Sequence, residues 1–175
     1  MNFVGVVPGG DWRVESWSAE GRVSDALEEF EGWHPHVRAI IGMAERVHRW
    51  ALYDREPRPR WSRGRVTLLG DAAHAMLPFL AQGACCAIED ARVLARCLVA
   101  VDASSVPAAL ARYEAARKPR TDEIQRGSHG NAATFHLPDG EAQRTRDARY
   151  ARLAATDPYA ARGWLYAYDA DTVRL

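Results

Sequence analysis

Asp71 follows the apolar run Val66-Thr67-Leu68-Leu69-Gly70, and Gln82-Gly83-Ala84 opens the next helix-like stretch, with Pro78 between them. A carboxylate just past a strand lies where ligands bind in α/β sheets. Ionised, it only accepts hydrogen bonds, so it suits sugar-type hydroxyls. The same side chain is equally able to cap the turn Ala72-Ala73-His74. Gly83 leaves room for a ligand against the backbone. The first N–H groups of a helix have no internal partner and lie at the positive end of its dipole. Such an end holds phosphate or steadies a developing anion. The plain alternative is an ordinary helix start with a glycine for close packing. Pro78 stiffens the loop between the two points, or merely punctuates it. Read as a unit, the string is a cradle for a cofactor rich in hydroxyl and oxyanion groups.

Other reactive side chains read as structural. His74 follows Asp71 closely and has local backbone to bond. His34-Pro35-His36 lacks a third ligand, and Pro35 marks a helix start, so no metal site is expected. Glu89 and Asp90 fall near a helix N-terminus, where the dipole favours negative charge, and Glu89 has Arg92 at i+3. Cys85, Cys86 and Cys97 are odd in number, and two are adjacent. That spacing fits neither a disulfide framework nor a zinc site, and small buried residues are expected instead. The sequence holds no Gly-x-Ser-x-Gly elbow and no Walker loop.

Several elements must position these residues. Residues 2–7 and 12–17 read as strands joined by Pro8-Gly9-Gly10-Asp11, a β-hairpin. Ser24 is placed to cap a short helix through Phe30. Pro35 suits the first turn of a helix to Ala44. Trp50-Ala51-Leu52-Tyr53 reads as a strand, and Pro57 and Pro59 make a loop. The nearly continuous apolar run Arg65–Leu69 predicts a strand buried on both faces. From Gln82 to Ala100 the apolar positions Ala84, Ala87, Ile88, Ala91, Leu94, Ala95 and Leu98 follow helical spacing. Ser105 and Pro107 start another helix, with Leu110 and Tyr113 on one face, and Pro119 is expected to end or kink it. Residues 127–140 read as a loop, and Asp139–Leu153 as a charged helix with a solvated face. Trp164, Tyr166 and Tyr168 form a terminal aromatic cluster.

Composition sets the bounds. A chain of 175 residues is long enough for a real core. Its 23 basic and 23 acidic residues balance, which argues against nucleic-acid or anionic-membrane binding. No apolar run approaches the roughly 20 residues of a spanning helix. The first ten residues lack the pattern of a signal peptide, so a cytoplasmic location is expected.

The string Arg65-Val66-Thr67-Leu68-Leu69-Gly70-Asp71-Ala72-Ala73-His74, then Pro78, Gln82-Gly83-Ala84 and Ala87-Ile88-Glu89-Asp90-Ala91, resembles the C-terminal half of the class A FAD-dependent aromatic hydroxylases. Salicylate hydroxylase-like and 3-hydroxybenzoate hydroxylase-like enzymes are the nearest in pattern. Gly32-Trp33-His34-Pro35, Tyr113-Glu114-Ala115-Ala116-Arg117 and Trp164-Leu165-Tyr166 extend the resemblance along essentially the whole chain. Ala81 and Cys86 stand where many members carry Gly and Met or Gln.

The resemblance implies an α/β fold (α+β in this portion). Residues 1–60 would be part of a substrate-domain sheet, 61–101 the C-terminal part of a Rossmann-like FAD-binding domain, and 102–175 C-terminal helices. It implies that Asp71 holds the ribityl part of FAD and that Pro78 lies beside the isoalloxazine. Backbone N–H groups around Gly83 and Ala84 would approach the flavin's N1–C2=O edge. It names no catalytic residue in this stretch. The implied activity is NAD(P)H-dependent monooxygenation of a phenolic acid through flavin hydroperoxide chemistry. The family's Gly-x-Gly-x-x-Gly unit is missing, so a truncated gene product or half of a split enzyme is expected, inactive without an N-terminal half. Arg65–Leu69 would then lack its parallel neighbours. A small aromatic substrate, a separate N-terminal half and a homodimer are the partners implied. A remnant that binds no flavin is the competing expectation.

Overall fold

The structure, a computed structural model, describes residues 2–8, 16, 18–156 and 162–175. They fall into two units, Met1–Leu52 and Tyr53–Leu175. The described residues are mostly helical. In place of an α/β sheet they contain two antiparallel two-stranded ribbons.

In the first unit, β1 (Glu20–Gly21) pairs with β2 (Val47–His48). Helices α1 (Val23–Glu29) and α2 (Pro35–Gly42) lie between them in sequence. Pro35 opens α2 as expected, and His34 Nδ1 accepts the His36 N–H at 3.2 Å. The histidine pair is thus a helix cap. Ser24 lies inside α1 rather than capping it; its hydroxyl donates to Asp25. Among its described residues, Phe30 and Ile41 are the buried apolar ones. Residues 2–7 carry no regular structure, residues 12–15 and 17 lie outside the described residues, and 50–53 are not a strand.

The second unit is built on two long helices, α4 (Gly83–Leu98) and α5 (Val106–Phe135). Ahead of them come β3 (Ser62–Arg63), β4 (Val66–Thr67), the short α3 (Asp71–His74) and a 3₁₀ turn, Pro78–Leu80. Gly64, at φ +59, begins the two-residue turn of the β3–β4 hairpin, a position that demands positive φ in a type II′ turn. The strand expected over 65–69 therefore shrinks to two residues, and its burial is overturned: Val66 is 68% exposed and Leu69 41%. A continuous apolar run suits a strand flanked by others, and among the described residues β4 has a neighbour on one edge only.

Trp61, Ala73, Val93, Cys97, Ala109 and Tyr113 form one core cluster, and Cys86, Ile124 and Leu165 another. Fully burying a large apolar side chain contributes about 1.5–3 kcal/mol. The buried stripe of α4 is Cys86, Asp90, Val93 and Cys97, whereas Ala84, Ile88, Ala91, Ala95 and Leu98 are exposed. Cys85 is exposed too, unlike the other cysteines.

Helix α5 continues through Pro119 and on through Gly127 and Gly130, so Pro119 does not end it, and the loop expected over 127–140 is helix as far as Phe135. Pro119 lies on the exposed side, while Tyr113, Arg117, Thr121, Ile124, Gln125 and Ser128 are buried around it. Tertiary packing on both sides outweighs the roughly 3 kcal/mol local cost of an interior proline. Ser105 occupies the cap position of α5, but its hydroxyl donates to Asp102 at 2.8 Å. Asp102 also accepts from Ser104, and these bonds hold its carboxyl at about 2.

Helix α6 (Glu141–Ala155) has no buried residue, as its charge pattern predicts. Beyond it, α7 (Gly163–Tyr166) and the last residues form a strap across α4 and α5. Arg120 donates to the carbonyls of Trp164 and Leu165, each at 2.8 Å, and Arg96 to those of Ala170 and Val173 at 2.8 and 3.0 Å. The Tyr168 ring lies 4.8 Å from the Arg117 guanidinium and 4.3 Å from that of Arg120. No helix among the described residues is long and apolar enough to cross a membrane.

Candidate functional site

Gly70 and Asp71 make the entry to α3. Gly70 takes φ +58, and its carbonyl accepts the N–H groups of Ala73 and His74, both at 2.9 Å. A Cβ placed on Gly70 would lie 3.4 Å from the Ala87 Cβ, so the turn packs close against the first turns of α4. Asp71 is the first residue of α3 and is exposed. The cap position of α3 is Gly70, which has no side chain to offer, and the Asp71 carboxylate follows it at the first helical position.

The start of α4 is open in the same sense. Gln82 occupies its cap position without a side-chain capping bond, and Cys86 N–H to Gln82 O, at 2.8 Å, is the bond that closes the first turn. The N–H groups ahead of Cys86 therefore have no intrahelical partner. A Cβ on Gly83 would meet nothing within 4 Å, and Ala84 is exposed. An acceptor-only carboxylate at one helix start and free donors at another fit a ligand carrying hydroxyls and a developing anion. The residues present thus fit a flavin.

Between these points runs the loop that carries Pro78, which is exposed at the first position of the 3₁₀ turn. Helix α5 holds this loop. Gln125 Nε2 donates to the carbonyls of Ala75 and Arg55 at 2.8 and 2.6 Å, and Asn131 Nδ2 donates to Phe79 O at 3.3 Å. Gly127 lets Leu80 approach: a Cβ there would lie 3.1 Å from Leu80 Cδ1. The Phe79 ring packs edge-on against Phe135 and His136. Sequence reasoning missed these supports because it expected Pro119 to end or kink the helix and placed residues 127–140 in a loop.

Ala81, just after the 3₁₀ turn, is left-handed at φ +53 and ψ +36. An L-residue pays about 1–2 kcal/mol there, and replacing it by glycine costs about 0.4–1 kcal/mol in the unfolded chain. Ala81→Gly is therefore expected to stabilise the second unit by roughly 0.5–1 kcal/mol. A urea midpoint that falls instead of rising would contradict this.

Under the site lies a buried charged network. Asp90 Oδ2 accepts Gly70 N–H at 3.0 Å and lies 2.6 Å from His74 Nε2, while Oδ1 accepts Arg117 Nε at 2.8 Å. Asp90, His74 and Arg117 have no exposed surface. Burial pushes the Asp90 carboxyl up, but the bonds from His74, Arg117 and Gly70 outweigh it and hold the group below the usual carboxylate range. Arg117 also pairs with Glu89 at 2.7 Å, and Glu89 bonds Arg120 through both oxygens at 2.9 Å. The expected Glu89–Arg92 pair is replaced by these, and Arg92 bonds Asp171 instead. Burial, reinforced by Glu89, pushes the Cys86 thiol up to about 11, which makes it an inert packing group.

An open groove of about 740 Å³ lies elsewhere in this unit, between the β3–β4 hairpin and α5, lined by Arg60, Arg63, Glu114, Lys118 and Asp122 among others. Neither Asp71, Pro78, Gly83 nor Ala84 lines it. Among the described residues no group of histidine, cysteine and acidic side chains is placed to hold a metal ion.

Comparison with known proteins gives a consistent answer. Residues 19–128 match the family model described as an FAD binding domain. A 3-amino-4-hydroxybenzoate 2-monooxygenase of Streptomyces platensis is 46% identical over 173 residues, which are 99% of this chain and 43% of that protein. A 6-hydroxynicotinate 3-monooxygenase of Pseudomonas fluorescens is 46% identical over 131 residues, 75% of this chain and 34% of that protein. Among solved structures, a salicylate hydroxylase substrate complex superposes with a TM-score of 0.76 at 30% identity, over 93% of this chain and 39% of the other. The chain thus spans about two fifths of the length of the relatives it matches. With its turn at Asp71, its open helix start at Gly83 and these relatives, the chain belongs to the family of FAD-dependent aromatic monooxygenases.

Proposed function

We propose that this chain is the flavin-facing C-terminal portion of an NAD(P)H-dependent monooxygenase that hydroxylates a small aromatic acid. The observation that carries the reading is an exposed Asp71 at the start of α3 together with a helix start at Gly83 that has no side-chain cap, on two helices that approach each other at Gly70 and Ala87. In this reading Asp71 accepts hydrogen bonds from the ribityl hydroxyls. The N–H groups of Gly83 and Ala84 face the N1–C2=O edge, where the helix dipole favours negative charge. Pro78 lines the ring face. The flavin, when bound, supplies the electron transfer and oxygen activation, and the protein supplies position and electrostatics.

The remaining part of the site comes from further polypeptide. Exposed apolar residues on α4 and β4, among them Ile88 at 71% and Val66 at 68%, support this. So does the share of the relatives that the chain spans. A partner carrying the Gly-x-Gly-x-x-Gly unit would cover that face and bind the pyrophosphate.

FAD titration of the purified chain, alone and co-expressed with such a partner, tests the reading through the visible flavin spectrum. Binding is expected, and Asp71→Ala should weaken it by about 1.5–3 kcal/mol, the value of a hydrogen bond to a charged acceptor. No spectral change under either condition would favour a remnant that binds no flavin. NAD(P)H oxidation stimulated by phenolic or pyridine acids in the completed enzyme tests hydroxylation.

A further inference from the structure

Asp90 grips α3 at both ends. Its Oδ2 holds the Gly70 N–H immediately before the helix and the His74 ring at its last residue, from a position 20 residues away in the chain. A buried ion pair such as Asp90–Arg117 is weak evidence for net stability, because desolvation offsets most of the attraction. What such a pair does reliably is fix a geometry, since both groups lose their partners in any other arrangement. Here the geometry is that of a four-residue helix too short to hold its own orientation. Two points fix where that helix lies and which way it is turned, and Asp71 is its first residue.

We infer that Asp90 is the positioning residue for Asp71: through Gly70 and His74 it fixes the orientation of α3, and so the direction in which the Asp71 carboxylate meets the flavin. The inference rests on the flavin contact proposed for Asp71. Arg117 serves it by holding the second carboxylate oxygen, which keeps Asp90 ionised and unable to rotate. Glu89, the residue before Asp90, bonds Arg117 and Arg120, and neither bond reaches α3.

The test compares Asp90→Asn and Glu89→Gln in the full chain with two readouts. The first is the Gly70 amide by NMR. In Asp90→Asn its proton should move upfield and exchange with solvent about tenfold faster or more, as a charge-assisted bond is lost. In Glu89→Gln it should stay, and in both variants the Ile41 amide of the first unit should be unmoved. The second is FAD affinity, which should fall about tenfold in Asp90→Asn and hold in Glu89→Gln. Should Asp90→Asn fail to fold, the double variant with Arg117→Gln leaves no lone buried charge and carries the same expectations. An unchanged Gly70 amide in a folded variant overturns the inference. So does an amide that moves while FAD affinity does not. If the unaltered chain takes up no FAD in either form, the flavin reading has failed, and the amide still decides whether Asp90 sets α3.

Discussion

Arg117→Met is expected to destabilise the second unit by about 3–5 kcal/mol, the usual cost of removing one partner from a buried ion pair. Methionine restores much of the volume, so the loss is electrostatic. Asp90 would keep Gly70 and His74 but lose the cation on Oδ1, and Glu89 would lose one of its two arginines. The Tyr168 ring would lose a stacked guanidinium as well. Urea unfolding followed by far-ultraviolet circular dichroism measures this. A midpoint equal to that of the unaltered chain would show that the network is neutral, and that Asp90 finds another partner without cost.

Trp61→Ala is expected to cost about 3–5 kcal/mol, as large-to-small changes of buried aromatics do. Trp61 is 3% exposed, and its ring lies 5.5 Å from His74 and 5.8 Å from Tyr113. It sits where the β3–β4 hairpin meets α5, and its carbonyl accepts the Leu68 N–H at 3.2 Å. Removing the ring opens a cavity behind His74, so the damage should reach α3. The near-ultraviolet circular dichroism signal and the urea midpoint should fall together. A loss below about 1 kcal/mol, the average for any substitution, would mean that the ring is dispensable.

The parts of this molecule that were legible in its sequence are those whose signal is local. Pro35 announces α2, and the helical spacing after Gln82 announces α4 to within two residues of its end. The string from Arg65 to Ala91 marks the turn at Gly70-Asp71 and the start of α4 together. Legibility fails where the signal comes from outside the segment. Two apolar stripes compete on α4, and the exposed one is the more apolar. The buried one contains Asp90, a residue that hydropathy assigns to water, and only its partners on α3 and α5 explain its burial. Pro119, Gly127 and Gly130 are breakers by local propensity, yet α5 continues because Tyr113, Ile124 and Ser128 are buried along it. Likewise the apolar run before Gly70 reads as an inner strand, a status that depends on neighbours found nowhere among the described residues.

The C-terminal strap is held largely by main-chain oxygens: Arg96 and Arg120 between them bond four carbonyls, from Trp164 to Val173. Carbonyls are common to every residue type, so these arginines select a path and are indifferent to the letters along it. Leu165, Tyr168, Asp171 and the core-packed Ala170 and Val173 aside, the tail side chains are free to vary, while Arg96 and Arg120 are not. A designer could therefore rewrite the tail positions whose side chains make no contact, keeping Arg96 and Arg120, without disturbing the helices beneath.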